Sequence, residues 1–413
     1  MSKKRIHCYA ASFGNDLAKQ LIQKYCRKGG IVIDPFTGSG TTLIEALSTG
    51  RYPIGIDVDP IAILISKTQT QRHSRDWLLK FNDDIKSKLI LLEQELKIHN
   101  PEPKLVKPGF SFGVNGYMAT VPNNSAIEYW FSPNQTVVLA ALTALSSRLT
   151  DERERQIFNL AISSAIVRKW PSTLSRAMDI DHSRPHRGQP VHKTIKQQFN
   201  LFKRVISEII KSLQRTTEVM HKWKYDAEII QGDSVNALHE LPPEIADLIL
   251  TSPPYVNAID YPRAHKFSEW WLSPITKQCK RENYIGLRGI KKENLSESAQ
   301  LLAPTMMKTL IWLKQKAPSK HSLVCKYVVD MSEVIAGCKH VLQEKGRIVF
   351  VLADNKISGR TIPVVNLVKE LLVSNGFKQV KSVRRRIKNQ RRRYPFGFNG
   401  VMKSEAIISA SKG

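Results

Sequence analysis

The feature that constrains this chain most is a short apolar strand followed by a glycine turn and the start of a helix. Residues 31–33 are Ile, Val and Ile, and such side chains predict a buried strand. Glycines in residues 38–40 let the backbone approach a ligand closely. A second strand over residues 54–57 ends in a carboxylate, which in parallel sheets often faces the ribose of a nucleoside. The stretch predicts a site for a nucleoside-bearing cofactor, although a turn that only links a strand to a helix has the same pattern.

A second motif lies far along the chain, where an apolar strand over residues 248–250 leads to Ser-Pro-Pro-Tyr at residues 252–255. With Asp-Pro-Phe-Thr-Gly-Ser-Gly-Thr-Thr at residues 34–42, it resembles the DNA amino-methyltransferases, which methylate the exocyclic amine of cytosine or adenine. The chain lacks the GxGxxG spacing of a dinucleotide site and the GK[ST] of a phosphate loop at this turn, which disfavours NAD and ATP.

This resemblance implies a fold, a cofactor and a set of site residues. The fold would be α/β, a Rossmann-like class I methyltransferase with a mainly seven-stranded twisted sheet, interrupted by a large, mostly helical insertion. The cofactor would be S-adenosyl-L-methionine, and no metal is expected. The residues implied to bind the cofactor are Phe13, Asp34, Pro35, Phe36, Thr37, Gly38, Ser39, Gly40, Thr41, Thr42, Asp57 and Asp233. The catalytic residues would be Ser252, Pro253, Pro254 and Tyr255.

The chemistry of methyl transfer to an amine explains the Ser-Pro-Pro-Tyr turn. An exocyclic amine conjugated with its ring is a poor nucleophile, so acceptors at Ser252 and the Pro253 carbonyl would orient its lone pair. The two prolines remove backbone donors. Tyr255 would stack on a base flipped from the duplex, although a core tyrosine is the simpler interpretation. Methylation of the cytosine ring carbon is disfavoured, because it needs a thiolate and the catalytic position has no Pro-Cys pair.

The identity of the target stays open at this stage. Serine before the two prolines resembles the cytosine N4 enzymes, whereas adenine N6 enzymes more often have Asp or Asn there. An RNA amine methyltransferase would share both motifs. A DNA-binding protein with an inactive methyltransferase fold is the non-enzymatic alternative.

The charge balance favours a nucleic acid partner. Among 413 residues, 63 are Lys or Arg and 36 are Asp or Glu, which gives a net charge of +27. Such an excess of cations favours a polyanion whose counterions are released on binding. We expect double-stranded DNA as the partner, together with a cognate restriction endonuclease or another defence-system partner, and no membrane. The absence of a long apolar run or a signal-peptide core predicts a cytoplasmic, nucleoid-associated protein.

The spacing of the motifs predicts a discontinuous catalytic domain. Residues 1–60 and 226–413 would form it, with the acidic residue of the third cofactor motif at Asp233. Residues 61–225 have apolar side chains at helical spacing and predict an inserted helical domain that recognises the target sequence. Residues 262–325 predict a smaller insertion within the catalytic domain.

Several basic segments are candidates for contact with DNA phosphates. The loop before residue 194 is rich in cations and histidines, and the stretch from residue 384 to 398 combines arginines with aromatic residues. Solvated charge runs are the simpler alternative for both. The residues predicted to bind DNA are Arg184, Arg187, Lys193, Arg263, Lys266, Arg385, Arg386, Arg391, Arg392 and Arg393.

Overall fold

A computed structural model provides the structure of the chain. It describes residues 6–7, 9, 14–168, 171–177, 193–220, 223–256, 260–272, 284–286, 295–386 and 404–413. Within these ranges the chain forms two compact units, each assembled from three separate segments. The first, here called the helical unit, comprises Met1–Ala10, Lys67–Lys222 and Tyr261–Gln278. The second, here called the sheet unit, comprises Ala11–Ser66, Trp223–Asp260 and Cys279–Gly413.

The described elements are numbered in chain order. The strands are β1 (Ile31–Asp34), β2 (Tyr52–Asp57), β3 (Ser111–Val114), β4 (Tyr117–Thr120), β5 (Glu228–Gln231), β6 (Ala246–Thr251), β7 (Leu342–Leu352), β8 (Asn355–Ile357), β9 (Arg360–Ile362), β10 (Phe377–Arg386) and β11 (Ser404–Lys412). The helices are α1 (Asn15–Tyr25), α2 (Thr41–Ser48), α3 (Pro60–Thr70), α4 (Arg75–Ile98), α5 (Ile127–Trp130), α6 (Pro133–Arg148), α7 (Glu152–Ile166), α8 (Ile195–Met220), α9 (Ser234–Glu240), α10 (Tyr261–Leu272), α11 (Leu295–Leu302), α12 (Met307–Lys316), α13 (Pro318–Val341) and α14 (Val364–Ser374).

The sheet unit is built on seven strands in the order β10, β11, β7, β6, β1, β2, β5. The neighbours from β7 to β5 pair in parallel, while β11 is antiparallel to both β7 and β10. This arrangement confirms the predicted α/β fold with a seven-stranded sheet. The chain runs from β1 outward through β2 to β5 and then returns to β6 on the other side of β1. The switch point, where parallel sheets bind ligands, therefore lies between β1 and β6.

Strand residues alternate between two apolar layers, as the period of an extended chain requires. Ile33 and Ile249 belong to the core cluster that α9 and α11 to α14 cover. Val32, Leu248 and Leu250 face the opposite side and pack with α1 and α2. Helices on both faces explain why β1 and β6 are almost continuously apolar.

The helical unit confirms the predicted helical content of the insertion. α4, α6, α7 and α8 are its longer helices, and α6 begins with a capping box formed by Ser132 and Gln135. Phe158 of α7 packs edge to face on Phe202 of α8, with ring centroids 5.2 Å apart. Among the described residues, no helix combines the length and apolarity needed to cross a membrane.

Packing explains why the helical unit is not the same stretch as the predicted insertion at residues 61–225. Phe267 of α10 packs against Trp130 and Phe131, with centroids 4.8 and 5.3 Å away. At the N-terminus, His7 Nε2 lies 2.9 Å from the Ser163 hydroxyl. The predicted smaller insertion at residues 262–325 is divided in the same way. Its α10 belongs to the helical unit, whereas α11 and α12 contribute to the core of the sheet unit.

Candidate active site

The turn after β1 has a backbone that requires glycine. Gly40 has φ +80° and is the N-cap of α2, and a Cβ there would lie 3.2 Å from the Ser66 Cα. Gly38 also has positive φ, at 50°. No side chain caps α2. The N–H groups of its first turn have no acceptor within the helix, so this end of α2 suits an anionic group.

Asp57 lies at the carboxyl end of β2 and is fixed against this turn. Its Oδ2 accepts a 2.8 Å hydrogen bond from the Gly38 N–H, and its Oδ1 accepts a 3.0 Å hydrogen bond from the backbone N–H of Asp59. Burial, followed by the charge of Asp59, raises the pKa of Asp57 to about 7. Carboxylate oxygens accept more than one hydrogen bond each, so Asp57 can also accept from ligand hydroxyls.

Asp34 lies at the carboxyl end of β1, only 2% exposed. Its Oδ1 accepts hydrogen bonds from the Thr251 hydroxyl at 2.5 Å and from the Phe36 N–H at 3.1 Å. Burial raises the pKa of Asp34 to about 6, against the opposite effect of hydrogen bonds from Thr251, Thr42 and Phe36. That Asp34 binds the cofactor stays a prediction.

Two further acidic residues cap helices. Asp59 accepts a hydrogen bond from the Ile61 N–H at 2.8 Å, so it caps α3. Asp233 accepts from the Val235 N–H at 2.8 Å and is the N-cap of α9. The predicted contact of Asp233 with the cofactor adenine stays a prediction.

The Ser-Pro-Pro-Tyr turn follows β6 directly, at the same edge of the sheet. Ser252 is partly exposed and forms a side-chain hydrogen bond with Tyr255, whose ring is partly buried against the core. Burial raises the pKa of Tyr255 to about 12; Ser252 lowers it and the charge of Glu405 raises it. The phenol is therefore neutral at physiological pH. Pro253 and Pro254 contribute carbonyl acceptors and no N–H groups.

Sequence reasoning missed two polar residues beside this turn. Asn355 Nδ2 donates to the Val256 carbonyl, and Asn355 Oδ1 is buried without a partner in the described part of the chain. The buried Tyr327 hydroxyl also has no partner there. A Cβ at Gly286 would lie 3.3 Å from the Tyr327 ring and 3.8 Å from the Tyr255 carbonyl. No sequence motif marks either residue, because only folding brings β8 and α13 to this turn.

Basic residues of β10 end at the edge of the sheet that carries the site. Since β11 is antiparallel to β7, with Ala406 opposite Leu352, its first residues lie at the carboxyl ends of the parallel strands. Arg386 pairs with Ser404 there. Arg385 Nη1 lies 3.6 Å from Glu405 Oε1, and the charge of Glu405 acts on Tyr255. Arg384, Arg385 and Arg386 are all exposed.

The structure describes three of the predicted DNA-binding residues of the helical unit. The Lys193 ammonium group donates to the carbonyls of Pro171 and Thr173, the latter at 2.9 Å. Arg263 is exposed on α10. Lys266 Nζ lies 4.4 Å from the centroid of the Trp130 ring. The predictions for Phe13, Arg184, Arg187, Arg391, Arg392 and Arg393 fall outside the described residues.

The chemistry of the donor set fits S-adenosylmethionine. Asp57 presents a carboxylate for ribose hydroxyls, and the uncapped start of α2 presents N–H groups for the methionine carboxylate. Thr37 Oγ1, in the same turn, is buried and has no partner among the described residues. A Cβ at Gly55 would come within 2.8 Å of this hydroxyl, so glycine is needed behind the turn.

Comparisons with known proteins also indicate a methyltransferase. Residues 1–68 match the family described as DNA methylase, of the N6/N4 type. The Type II methyltransferase M.MvaI of Kocuria varians is 22% identical over 402 residues, which cover 94% of this chain and 84% of that protein. The Type II methyltransferase M.MjaII of Methanocaldococcus jannaschii is 24% identical, over 94% of this chain and 77% of that protein.

Among solved structures, the rRNA methyltransferase aviRa of Streptomyces viridochromogenes aligns over 100% of this chain and 94% of its own, with 12% identity and a TM-score of 0.35.

The match at residues 1–68 includes the first strand, the glycine turn and Asp57. The similarity to Type II methyltransferases extends over nearly the whole chain. These similarities support an S-adenosylmethionine-dependent DNA methyltransferase of the N6/N4 type.

Proposed function

We propose that this protein transfers a methyl group from S-adenosylmethionine to the exocyclic amine of a flipped base in double-stranded DNA, at cytosine N4. The observation that carries the proposal is the 2.5 Å hydrogen bond between Thr251 and Asp34. It joins the residue before the Ser-Pro-Pro-Tyr turn to Asp34, the first residue of the turn at residues 34–42, here called the cofactor turn. A cofactor site and a set of amine acceptors therefore meet at the switch point of one sheet.

The residues of the cofactor turn would bind S-adenosylmethionine by its polar ends. Asp57 accepts hydrogen bonds from the ribose hydroxyls, and the start of α2 binds the carboxylate. Asp233 would face the adenine. The wall of the site between the carboxylate and the ribose would be formed by Pro35, Phe36, Thr37, Gly38, Ser39, Gly40, Thr41 and Thr42. The bound cofactor supplies an electrophilic methyl group. Asp34 supports the turn from within the core.

The Ser-Pro-Pro-Tyr turn at residues 252–255, here called the catalytic turn, would hold the target amine. Ser252 Oγ and the Pro253 carbonyl accept its N–H groups, which moves the nitrogen toward tetrahedral geometry and directs its lone pair at the methyl group. Pro254 keeps the turn rigid, and Tyr255 stacks on the base. No protein nucleophile is needed, because the amine nitrogen itself would attack the methyl carbon. The bond from methyl to sulfur would break as the new C–N bond forms, S-adenosylhomocysteine would leave, and the amine would lose one proton to solvent.

DNA phosphates would follow the exposed arginines at the end of β10. Arg385 and Arg386 lie at the edge that carries the Ser-Pro-Pro-Tyr turn, which supports phosphate contact beside the flipped base. Arg263 and Lys266 of the helical unit are further candidates, whereas the bonded ammonium of Lys193 makes it a weaker one. We assign target-sequence recognition to the helical unit.

Methylation of adenine N6 is the second candidate. The family match at residues 1–68 covers both amines, and Ser252 before the prolines favours cytosine through the resemblance alone. The Type II names of the relatives also support a site-specific enzyme that acts beside a cognate restriction endonuclease.

The test is incubation with S-adenosylmethionine and unmethylated genomic DNA, then nucleoside digestion and mass spectrometry. The proposal predicts 4-methylcytosine. A rise in 6-methyladenine instead would retain the chemistry and overturn the choice of base. Methylation of RNA but not of DNA, or cofactor binding with no methyl transfer to either, would overturn the proposed substrate.

A further inference from the structure

Thr251 lies between the two halves of the site. It is the last residue of β6, fully buried, and Ser252 follows it directly. On the neighbouring strand β1, Val32 and Ile33 pair with Leu248 and Ile249, so the ends of the two strands lie side by side. The Thr251 hydroxyl donates to Asp34 Oδ1 at 2.5 Å.

A second threonine supports the same connection. Thr42 in the first turn of α2 is buried, forms a side-chain hydrogen bond with Asp34 and places its hydroxyl 3.4 Å from the Leu250 carbonyl. The Asp34 carboxylate thus receives donors from β6 and from α2, besides the Phe36 N–H. A displacement of β6 relative to the cofactor turn would break these bonds inside the core, where an unpaired carboxylate is costly.

We propose that Thr251 is a positioning residue for methyl transfer, acting through Asp34 to hold the Ser252 turn at a set distance from the cofactor. This inference rests on the proposed function. In-line transfer needs the amine and the methyl group aligned to within a fraction of an ångström. Thr251 and Thr42 each form a side-chain hydrogen bond that connects β6 with the cofactor turn or α2.

The connection depends on an ionised Asp34, because an ionised carboxylate accepts hydrogen bonds from all its donors at once. Thr251 favours the ionised form, so its removal should raise the pKa of Asp34 above about 6. Among the described residues, Asp57 at the end of β2 and the buried Cys338 thiol of α13 also interact electrostatically with Asp34. Neither is changed by a substitution at Thr251.

The test compares Thr251→Val, which removes the hydroxyl at nearly constant volume, with Thr251→Ser, which retains it. Thr309→Val is a matched control, since Thr309 is buried in α12 away from the site. The measurements are kcat at saturating cofactor between pH 5 and 8, the cofactor Kd and thermal unfolding. Saturation removes the contribution of cofactor affinity from the pH profile.

We expect Thr251→Val to lower kcat about 10- to 100-fold while the cofactor Kd changes less. The acidic limb of its kcat profile should shift up by about one pH unit. Thr251→Ser should recover most of the rate and the wild-type profile, and Thr309→Val should retain both. Equal behaviour of the Val and Ser variants, or a rate loss with an unshifted profile, would overturn the inference. If wild-type protein methylates no nucleic acid, the proposed function fails first.

Discussion

The cofactor turn and the catalytic turn lie at the same edge of the sheet but are stabilised in opposite ways. The cofactor turn is stabilised by hydrogen bonds from its backbone N–H groups to β2. The Thr37 N–H donates to the Ile56 carbonyl at 2.9 Å, and the Gly38 N–H donates to the Asp57 carboxylate at 2.8 Å. The catalytic turn instead contains two prolines, which contribute carbonyl acceptors and no N–H groups. A preformed turn suits a cofactor of constant shape, whereas open acceptors suit a base that arrives only in the complex. The two turns should therefore fail differently when changed.

The largest effect should come from the catalytic turn. Ser252→Ala combined with Tyr255→Ala removes an amine acceptor and the stacking ring, so we expect methylation to fall by about 10³-fold or more. The cofactor Kd, measured by calorimetry, should stay within about threefold. An equal loss of cofactor binding would mean that this turn is not the catalytic motif.

The cofactor turn should show the reverse. Asp57→Ala removes the acceptor for the ribose hydroxyls, so we expect the cofactor Kd to rise about 10- to 100-fold, from one or two charge-assisted hydrogen bonds. At saturating cofactor, kcat should recover most of its wild-type value. Asp83→Asn, which changes an exposed carboxylate of α4, is the control and should leave both constants unchanged. An unchanged Kd in Asp57→Ala would remove Asp57 from the site.

The pH dependence of cofactor binding sharpens the comparison further. Protonation removes the acceptor capacity of Asp57, whose pKa is raised to about 7, so affinity should fall as the pH drops through 7. Well below that pH the loss should approach about tenfold per unit, provided the protonated form does not bind. Calorimetry between pH 5.5 and 8.5 measures this, with Asp57→Asn as the reference whose affinity should vary less. A flat wild-type profile would contradict the assignment.

The smallest effect should come from the basic end of β10. Arg386→Ala removes an exposed cation, so DNA binding should weaken a few-fold and the slope of log K against log salt should decrease by about one. Cofactor affinity should not change. Lys193→Ala is the comparison, because its ammonium already bonds to backbone carbonyls and should contribute less to the salt slope. A larger loss with Lys193→Ala would shift the phosphate track to the helical unit.

The sequence predicted the parts of the site that are local in the chain. Residues 31–42 form a strand, a turn and a helix start as predicted, and the glycines that adopt positive φ in the turn were evident in the sequence. The Ser-Pro-Pro-Tyr turn was equally visible, because its four residues are contiguous and resemble a known motif. By contrast, Asn355 and Tyr327 carried no signal, because their position beside Val256 and Gly286 comes from β8 and α13.

The domain organisation was likewise only partly predictable from the sequence. Helical spacing in residues 61–225 predicted the helices, but not that α10 packs Phe267 on Trp130 and so belongs with them. The basic end of β10 is similar: its arginines are evident in the sequence, whereas their location at the catalytic edge follows from the antiparallel pairing of β11 with β7.

By itself the sequence determined the local motifs on which the proposed chemistry rests: a glycine turn after the first strand, a carboxylate after the second strand, and a Ser-Pro-Pro-Tyr turn. Only the tertiary structure decided how these parts act together. Asp34 and Thr251 are separated by more than 200 residues, and their hydrogen bond exists because β6 returns to the other side of β1. Such pairing depends on the burial of whole strands between helices, which is a property of the complete core and of no single motif.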